Sequence, residues 1–214
     1  MLGYRFHDRR LLERALTHKS ASSDNNERLE FLGDAVLGYL VAEMLYSEAE
    51  AGEATMTLMR ASLVKGDSLA EIAQEIDLGR FIILGQGEKR SGGHKRASIL
   101  ADALEAVLGA VHTDGGIDPA RMLVDGLFGE RMRELDPDSI KDPKTSLQER
   151  LQGKRYGLPQ YEVVATAGSE HRRTFTVRCN VAELEVTVEA TGQSRRGAEK
   201  AAALAMLDRI ADRV

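Results

Sequence analysis

The sequence predicts two domains of different class, an all-α front domain and an α+β tail with the order α-β-β-β-α. Three observations carry this. Apolar residues recur at helical spacing through the front of the chain, they alternate in three stretches beyond residue 160, and a turn-forming run parts the two patterns. That run, Glu134-Leu135-Asp136-Pro137-Asp138-Ser139-Ile140-Lys141-Asp142-Pro143, holds two of only four prolines. The domains are therefore expected at residues 1–136 and 143–214, with a linker over 137–142.

In the front domain Asp8 is placed to cap a helix in which Leu11, Leu12, Ala15 and Leu16 share a face. Longer helices are expected from Asn26 to Tyr46, Met56 to Lys65, Arg96 to His112 and Pro119 to Arg133. Ser68 followed by Glu71 has the form of a capping box for a helix ending near Gly79. Only Phe81-Ile82-Ile83-Leu84 reads as a strand. Gly85-Gln86-Gly87-Glu88-Lys89-Arg90 has two glycines at dinucleotide-fingerprint spacing, but Arg90 stands at the third position, so a loop is expected. In the tail a helix from Lys144 to Gln152 precedes strands at Tyr161–Ala167, Thr174–Asn180 and Leu184–Ala190, and a helix from Ser194 to Ile210 closes the chain.

The net charge of −5 argues mildly against a nucleic-acid partner, yet it averages two unlike halves. Residues 1–140 carry 16 Lys and Arg against 24 Asp and Glu, a net of −8, whereas residues 141–214 carry 13 against 10, a net of +3. A single cysteine, Cys179, excludes an intrachain disulfide, and no 18-residue apolar span is present. A cytoplasmic protein without a membrane partner is expected. The five histidines are scattered with no HExxH pattern, and His18 and His94 read as local hydrogen-bonding residues rather than ligands.

Two expected helices are apolar except for carboxylates. In Ser98–Val111, SILADALEAVLGAV, the charged residues are Asp102 and Glu105, three apart and hence on one side. In the second, Glu27, Glu30 and Asp34 fall within an arc of roughly 60° at about 100° per residue, while Leu29, Phe31, Leu32, Val36 and Leu37 occupy the rest. A solvated acidic face is the ordinary explanation of such a stripe. Against it, carboxylates gathered in a partly dry site repel one another unless a cation compensates. Hard oxygen donors without cysteine or histidine suit Mg2+ or Mn2+, a chemistry proper to phosphodiester hydrolysis.

Glu27-Arg28-Leu29-Glu30-Phe31-Leu32-Gly33-Asp34-Ala35-Val36-Leu37 closely resembles the signature of the ribonuclease III family. The resemblance continues through Leu16-Thr17-His18-Lys19-Ser20, Met59-Arg60-Ala61, Ser91-Gly92-Gly93 and Ser98–Ala106 in the same order. Many members carry a further helix before the point at which Met1 begins. The resemblance implies a magnesium-dependent endonuclease acting on double-stranded RNA, with manganese also supporting activity. Glu30, Asp34, Asp102 and Glu105 match the family's metal-site positions, Asp34 and Glu105 being the foremost catalytic candidates. Glu27 and Glu53 match positions that engage RNA and complete the cleft. A homodimer is implied, in which Phe31, Leu32 and Ala35 either line the interface or belong to the core of one chain. The products implied carry a 5′-phosphate, a 3′-hydroxyl and a short 3′ overhang, and the implied role is processing of ribosomal and other structured RNA precursors. A binding-only relative would be expected to have lost a catalytic acid, and all four are present.

Asp142–Ile210 resembles the double-stranded RNA-binding domain. The resemblance assigns Thr145, Gln148 and Glu149 to minor-groove contact, and Ser169 and His171 to the loop entering the next minor groove. It assigns Ser194, Arg195, Arg196 and Lys200, at the start of the last helix, to phosphates across the major groove. Glu199 stands where strongly basic members of the family often carry lysine, which implies moderate affinity.

Overall fold

The computed structural model describes residues 3–169 and 173–211. The chain divides into two compact units, Met1–Ile140 and Lys141–Val214.

The first unit is built from α1 (Arg9–Ala15), α2 (Glu27–Glu48), α3 (Glu53–Leu63), α4 (Gly66–Glu75), α5 (Gln86–Arg90), α6 (Ala97–Gly115), α7 (Ile117–Glu134) and α8 (Pro137–Ile140). Asp8 starts α1 as expected, its side chain accepting the Arg10 N–H at 3.0 Å. Helix α6 runs through the middle and packs against α1, α2, α4 and α7. It therefore has almost no solvent side, and Ile99, Leu100, Ala103, Leu104 and Ala106–Val111 are all buried.

Its closest neighbour is α2, and the approach is set by two glycines. A Cβ at Gly33 would lie 1.8 Å from the Glu105 carbonyl oxygen, and one at Gly109 would lie 2.2 Å from that of Leu29. No side chain fits at either position, so the two backbones touch there.

The local structure departs from the expectations at several points. Helix α4 begins two residues before Ser68, which is buried in its first turn instead of capping. It stops at Glu75, and Asp77 then takes a left-handed φ of 54° that turns the chain into a 3-10 turn at Leu78–Arg80. Residues 86–90 form the short helix α5 and not a loop. The strand-like Phe81–Leu84 forms only an isolated parallel bridge between Thr17 and Ile83. Within the expected linker, Pro137–Ile140 is helical and Ile140 packs against the core of the first unit.

The second unit holds α9 (Pro143–Gly153), β1 (Gln160–Ala167), β2 (Thr174–Val181), β3 (Val186–Gly192) and α10 (Arg195–Arg209). Its antiparallel sheet has the order β1-β2-β3, and α10 packs on β2, β3 and α9. Strand β3 starts later than expected because Ala182–Leu184 form a 3-10 turn and Glu185 is left-handed at φ 52°. Asp142 caps α9, with proline in the first turn, and Ser194 caps α10. The core joins Leu147 and Leu151 of α9, Val177, Cys179 and Val181 of β2, and Ala198, Ala202 and Met206 of α10. Gly192 lets β3 meet α10, since a Cβ there would lie 2.4 Å from the Ala198 nitrogen. No described helix is long and apolar enough to cross a membrane.

Candidate active site

The glycine contact between α2 and α6 determines what stands beside it. Glu30 lies about one turn before Gly33 on α2, and Asp102 and Glu105 lie about two turns and one turn before Gly109 on α6. Carboxylate oxygens of Glu30, Asp102 and Glu105 all lie within 4.8 Å of one another, and all three residues are half-buried. Burial is the main reason that each of the three carboxyls is held above its ordinary range. Like charge adds to it: Asp34, Glu30 and Asp102 help push Glu105 up to about 7. At Glu30 the charges of Asp102, Glu27 and Asp34 act in the same upward sense, and Lys19 opposes them. At Asp102 the opposing charges are His18 and Lys19.

Asp34 is exposed and stands outside the close group, although its charge reaches Glu30 and Glu105. Glu27 is exposed at the start of α2, where its Oε1 accepts a hydrogen bond from Lys19 Nζ at 3.0 Å. Glu53 begins α3 and lines an apolar groove with Tyr39, Tyr46 and Met56, apart from the carboxylate group. The donor set fits a hard divalent cation, since three carboxylates converge without sulfur or imidazole. On the outer side of α2, Phe31 is 81% exposed, and Ala35, Tyr39 and Tyr46 are exposed with it. Leu32 instead packs against the core of its own chain.

In the second unit Thr145, Gln148 and Glu149 share an exposed face of α9, and Glu149 pairs with Lys141 at 3.1 Å. Ser169 is exposed after β1, while His171 lies outside the described residues. At the start of α10, Ser194 Oγ accepts the Gly197 N–H at 3.1 Å. The cations nearby are largely engaged. Lys144 pairs with Glu199 at 2.6 Å, Arg195 with Glu199 at 3.0 Å, and Lys200 with Asp142 at 2.8 Å. Arg196 is exposed and makes no ion pair among the described residues, although its charge is felt at Asp142.

Residues 8–130 match the Ribonuclease-III-like family model, and residues 143–210 match the double-stranded RNA binding motif. The chain belongs to the ribonuclease III family. It is similar to the Ribonuclease 3 of Nitrosococcus oceani, at 49% identity over 206 residues that cover 94% of this chain and 88% of the relative. Against the Ribonuclease 3 of Cupriavidus taiwanensis the identity is 52% over 211 residues, covering 98% and 82%. Among solved structures, the nuclease domain of ribonuclease III from Campylobacter jejuni aligns with a TM-score of 0.57 and 46% identity, covering 60% of this chain and 94% of that one. That structure describes flexibility in a region involved in dimer formation.

As a ribonuclease III, the molecule is an endonuclease joined to a double-stranded RNA-binding domain. Of the four carboxylates that the resemblance assigns to the metal site, the structure draws Glu30, Asp102 and Glu105 together and leaves Asp34 on the solvent side. Sequence reasoning gave no role to Lys19 and set His18 aside as a local residue, yet both bear on the acidic group. The signal was present in the Leu16–Ser20 motif, but it had no geometry attached.

Proposed function

We propose that this ribonuclease III hydrolyses phosphodiester bonds of double-stranded RNA with a divalent metal, magnesium or manganese, bound by Glu30, Asp102 and Glu105 with Asp34 alongside. The proposal extends to a cytoplasmic homodimer that processes ribosomal and other structured RNA precursors, leaving 5′-phosphates, 3′-hydroxyls and short 3′ overhangs. The observation that carries the chemistry is the half-buried cluster of Glu30, Asp102 and Glu105. Such a cluster is poorly compensated by the protein alone, and a divalent cation fits both its charge and its oxygen donors.

The metal, when bound, would acidify a water and offset charge on the phosphate. The residues supply the rest. Glu105, pushed up to about 7, takes up or releases a proton near neutral pH, because burial, and after it the charges of Asp34, Glu30 and Asp102, raise the cost of its ionisation. Asp34, exposed beside them, can accept a hydrogen bond from water. The apolar Phe31, Ala35 and Tyr39 on the outer side of α2 support the dimer, because such a surface is stabilised by being covered. In the second unit the exposed face of α9 and the start of α10 support recognition of A-form shape over base identity.

The test is cleavage of a long perfect RNA duplex with magnesium, with calcium and with chelator, using single-stranded RNA and duplex DNA as controls. Magnesium-dependent cutting of the RNA duplex alone is expected, with Glu105→Gln reducing it by about 10²–10³-fold while duplex binding is kept. Undiminished cutting by that variant would remove Glu105 from its role, and tight binding without cutting by the wild type would replace the nuclease with a binding protein. A 23.5 kDa chain that sediments as a monomer would overturn the dimer.

A further inference from the structure

We propose that Lys19 is a phosphate-binding cation of the cleavage site, parked on Glu27 in the RNA-free enzyme and transferred to a backbone phosphate when the duplex enters. This inference rests on the metal-dependent reading above.

The first support is the way the segment is held. Leu16–Ser20 opens the connection from α1 to α2, and its backbone is fastened on both sides. Leu16 O accepts the Ile83 N–H at 2.8 Å, the His18 N–H donates to Ile83 O at 3.0 Å, and Thr17 O accepts the Asn26 N–H at 2.9 Å at the start of α2. Ser20 Oγ accepts the Gly85 N–H at 3.0 Å, and a Cβ at Gly85 would lie 2.2 Å from Ser20 O. His18 Nδ1 accepts the Ser20 N–H at 3.2 Å, which closes the turn around Lys19. The ammonium is thus carried on an ordered backbone, and moving it costs only side-chain rearrangement.

The second support is the weakness of its present bond. Lys19 and Glu27 are 62% and 54% exposed at the side chain, and exposed pairs of this kind contribute little to stability. The pair is easily exchanged and explains little of the fold.

The third support is electrostatic. The charge of Lys19 reaches Glu30 and Asp102, the carboxylates assigned to the metal. A fixed positive charge there opposes a divalent cation, so metal binding gives no reason for a lysine at this place. A polyanionic substrate does. Carboxylates repel an incoming phosphate, and a lysine at the rim supplies a charge-assisted hydrogen bond to it.

The experiment uses the full chain with Lys19→Gln and Lys19→Arg. Duplex affinity is read against salt on the Glu105→Gln background, where cutting is suppressed, and Mn2+ binding and thermal melting are read without RNA. Loss of one phosphate contact should lower the slope of log affinity against log salt by about one. Lys19→Gln is therefore expected to show that smaller slope, an unchanged melting curve, and Mn2+ affinity that is unchanged or higher by up to about threefold. Lys19→Arg is expected to keep the wild-type slope. A slope unaltered in Lys19→Gln overturns the proposal, and weaker Mn2+ binding beside it would assign Lys19 to holding Glu27 and the carboxylates. Absence of Mn2+ binding in the wild type would overturn the metal reading, and the slope would still decide Lys19.

Discussion

The α2–α6 crossing and the rim formed by α9 and α10 both gather charge, but they hold it in opposite ways. At the crossing, carboxylates of one sign are crowded into a half-buried place beside two backbones in contact, with little positive charge from the protein to offset them. At the rim, cations are exposed or half-exposed and mostly occupied by the protein's own Asp142 and Glu199. One site is under repulsion before its ligand arrives, and the other is neutralised before its ligand arrives. On the proposed function, binding would relieve a cost at the first and would have to displace a partner at the second.

Rigidity is what sustains the first arrangement, and removing it is the most damaging test. Gly109→Ala puts a Cβ 2.2 Å from Leu29 O and 3.1 Å from Gly33 N, both backbone atoms that cannot move aside without separating the helices. The expected loss is about 3 kcal/mol or more, read as a lower urea midpoint. It should be accompanied by weaker Mn2+ binding, because Glu30 is moved away from Asp102 and Glu105. A variant as stable as wild type would show that the crossing does not hold the carboxylates together.

The repulsion itself is open to measurement through pH. An unfolded glutamate titrates near 4.5, whereas folded Glu105 is pushed up to about 7. Between these values the folded state binds the extra proton, so stability from this group is intact below about 4.5, falls as pH rises, and is lost above about 7. Glu105→Gln should therefore stabilise the metal-free protein by about 1–3 kcal/mol at pH 8 and leave it little changed at pH 4. Saturating Mg2+ should reverse the order at pH 8, since only the wild type retains the full donor set. Equal stability of the two metal-free proteins at pH 8 would mean that the cluster carries no strain.

The two sites also differ in how far they can be read from sequence. The acidic cluster was legible because its residues lie on helices otherwise almost wholly apolar, where the spacings of Glu30 to Asp34 and Asp102 to Glu105 report a shared face. Spacing says nothing about which residues meet across helices, so that Asp34 stands outside the close group is visible only in the folded arrangement. The rim residues were legible by type and position, but Lys144 to Glu199 and Lys200 to Asp142 are pairs distant in sequence that only the packing of α10 on α9 creates. Local chemistry misled at Ser68, which is buried in the first turn of α4 instead of capping it, and at residues 85–90, where Gly85 precedes a short helix and Gly87 lies within it. Propensity and capping are worth about a kilocalorie each, and tertiary packing outweighs them.

The smallest expected effect tests the neutralised site. Glu199 is half-buried and accepts from both Lys144 and Arg195, at 2.6 Å and 3.0 Å, so one carboxylate restrains a cation at the start of α9 and another at the start of α10. Glu199→Lys removes that acceptor and adds a positive charge among residues assigned to phosphate contact. Duplex affinity at low salt should rise by about threefold to tenfold, near 1 kcal/mol, with a steeper salt dependence because more counterions are released. Crowding of like charge should in turn lower the stability of the second unit by up to about 1 kcal/mol, a mirror image of the repulsion at the crossing. Lys200 remains bound to Asp142 in this variant, so the gain measures Lys144, Arg195 and the added charge. Affinity and salt slope equal to wild type would mean that the rim's cations reach RNA despite their partners, and the contrast between a strained and a neutralised site would then hold for the free protein alone.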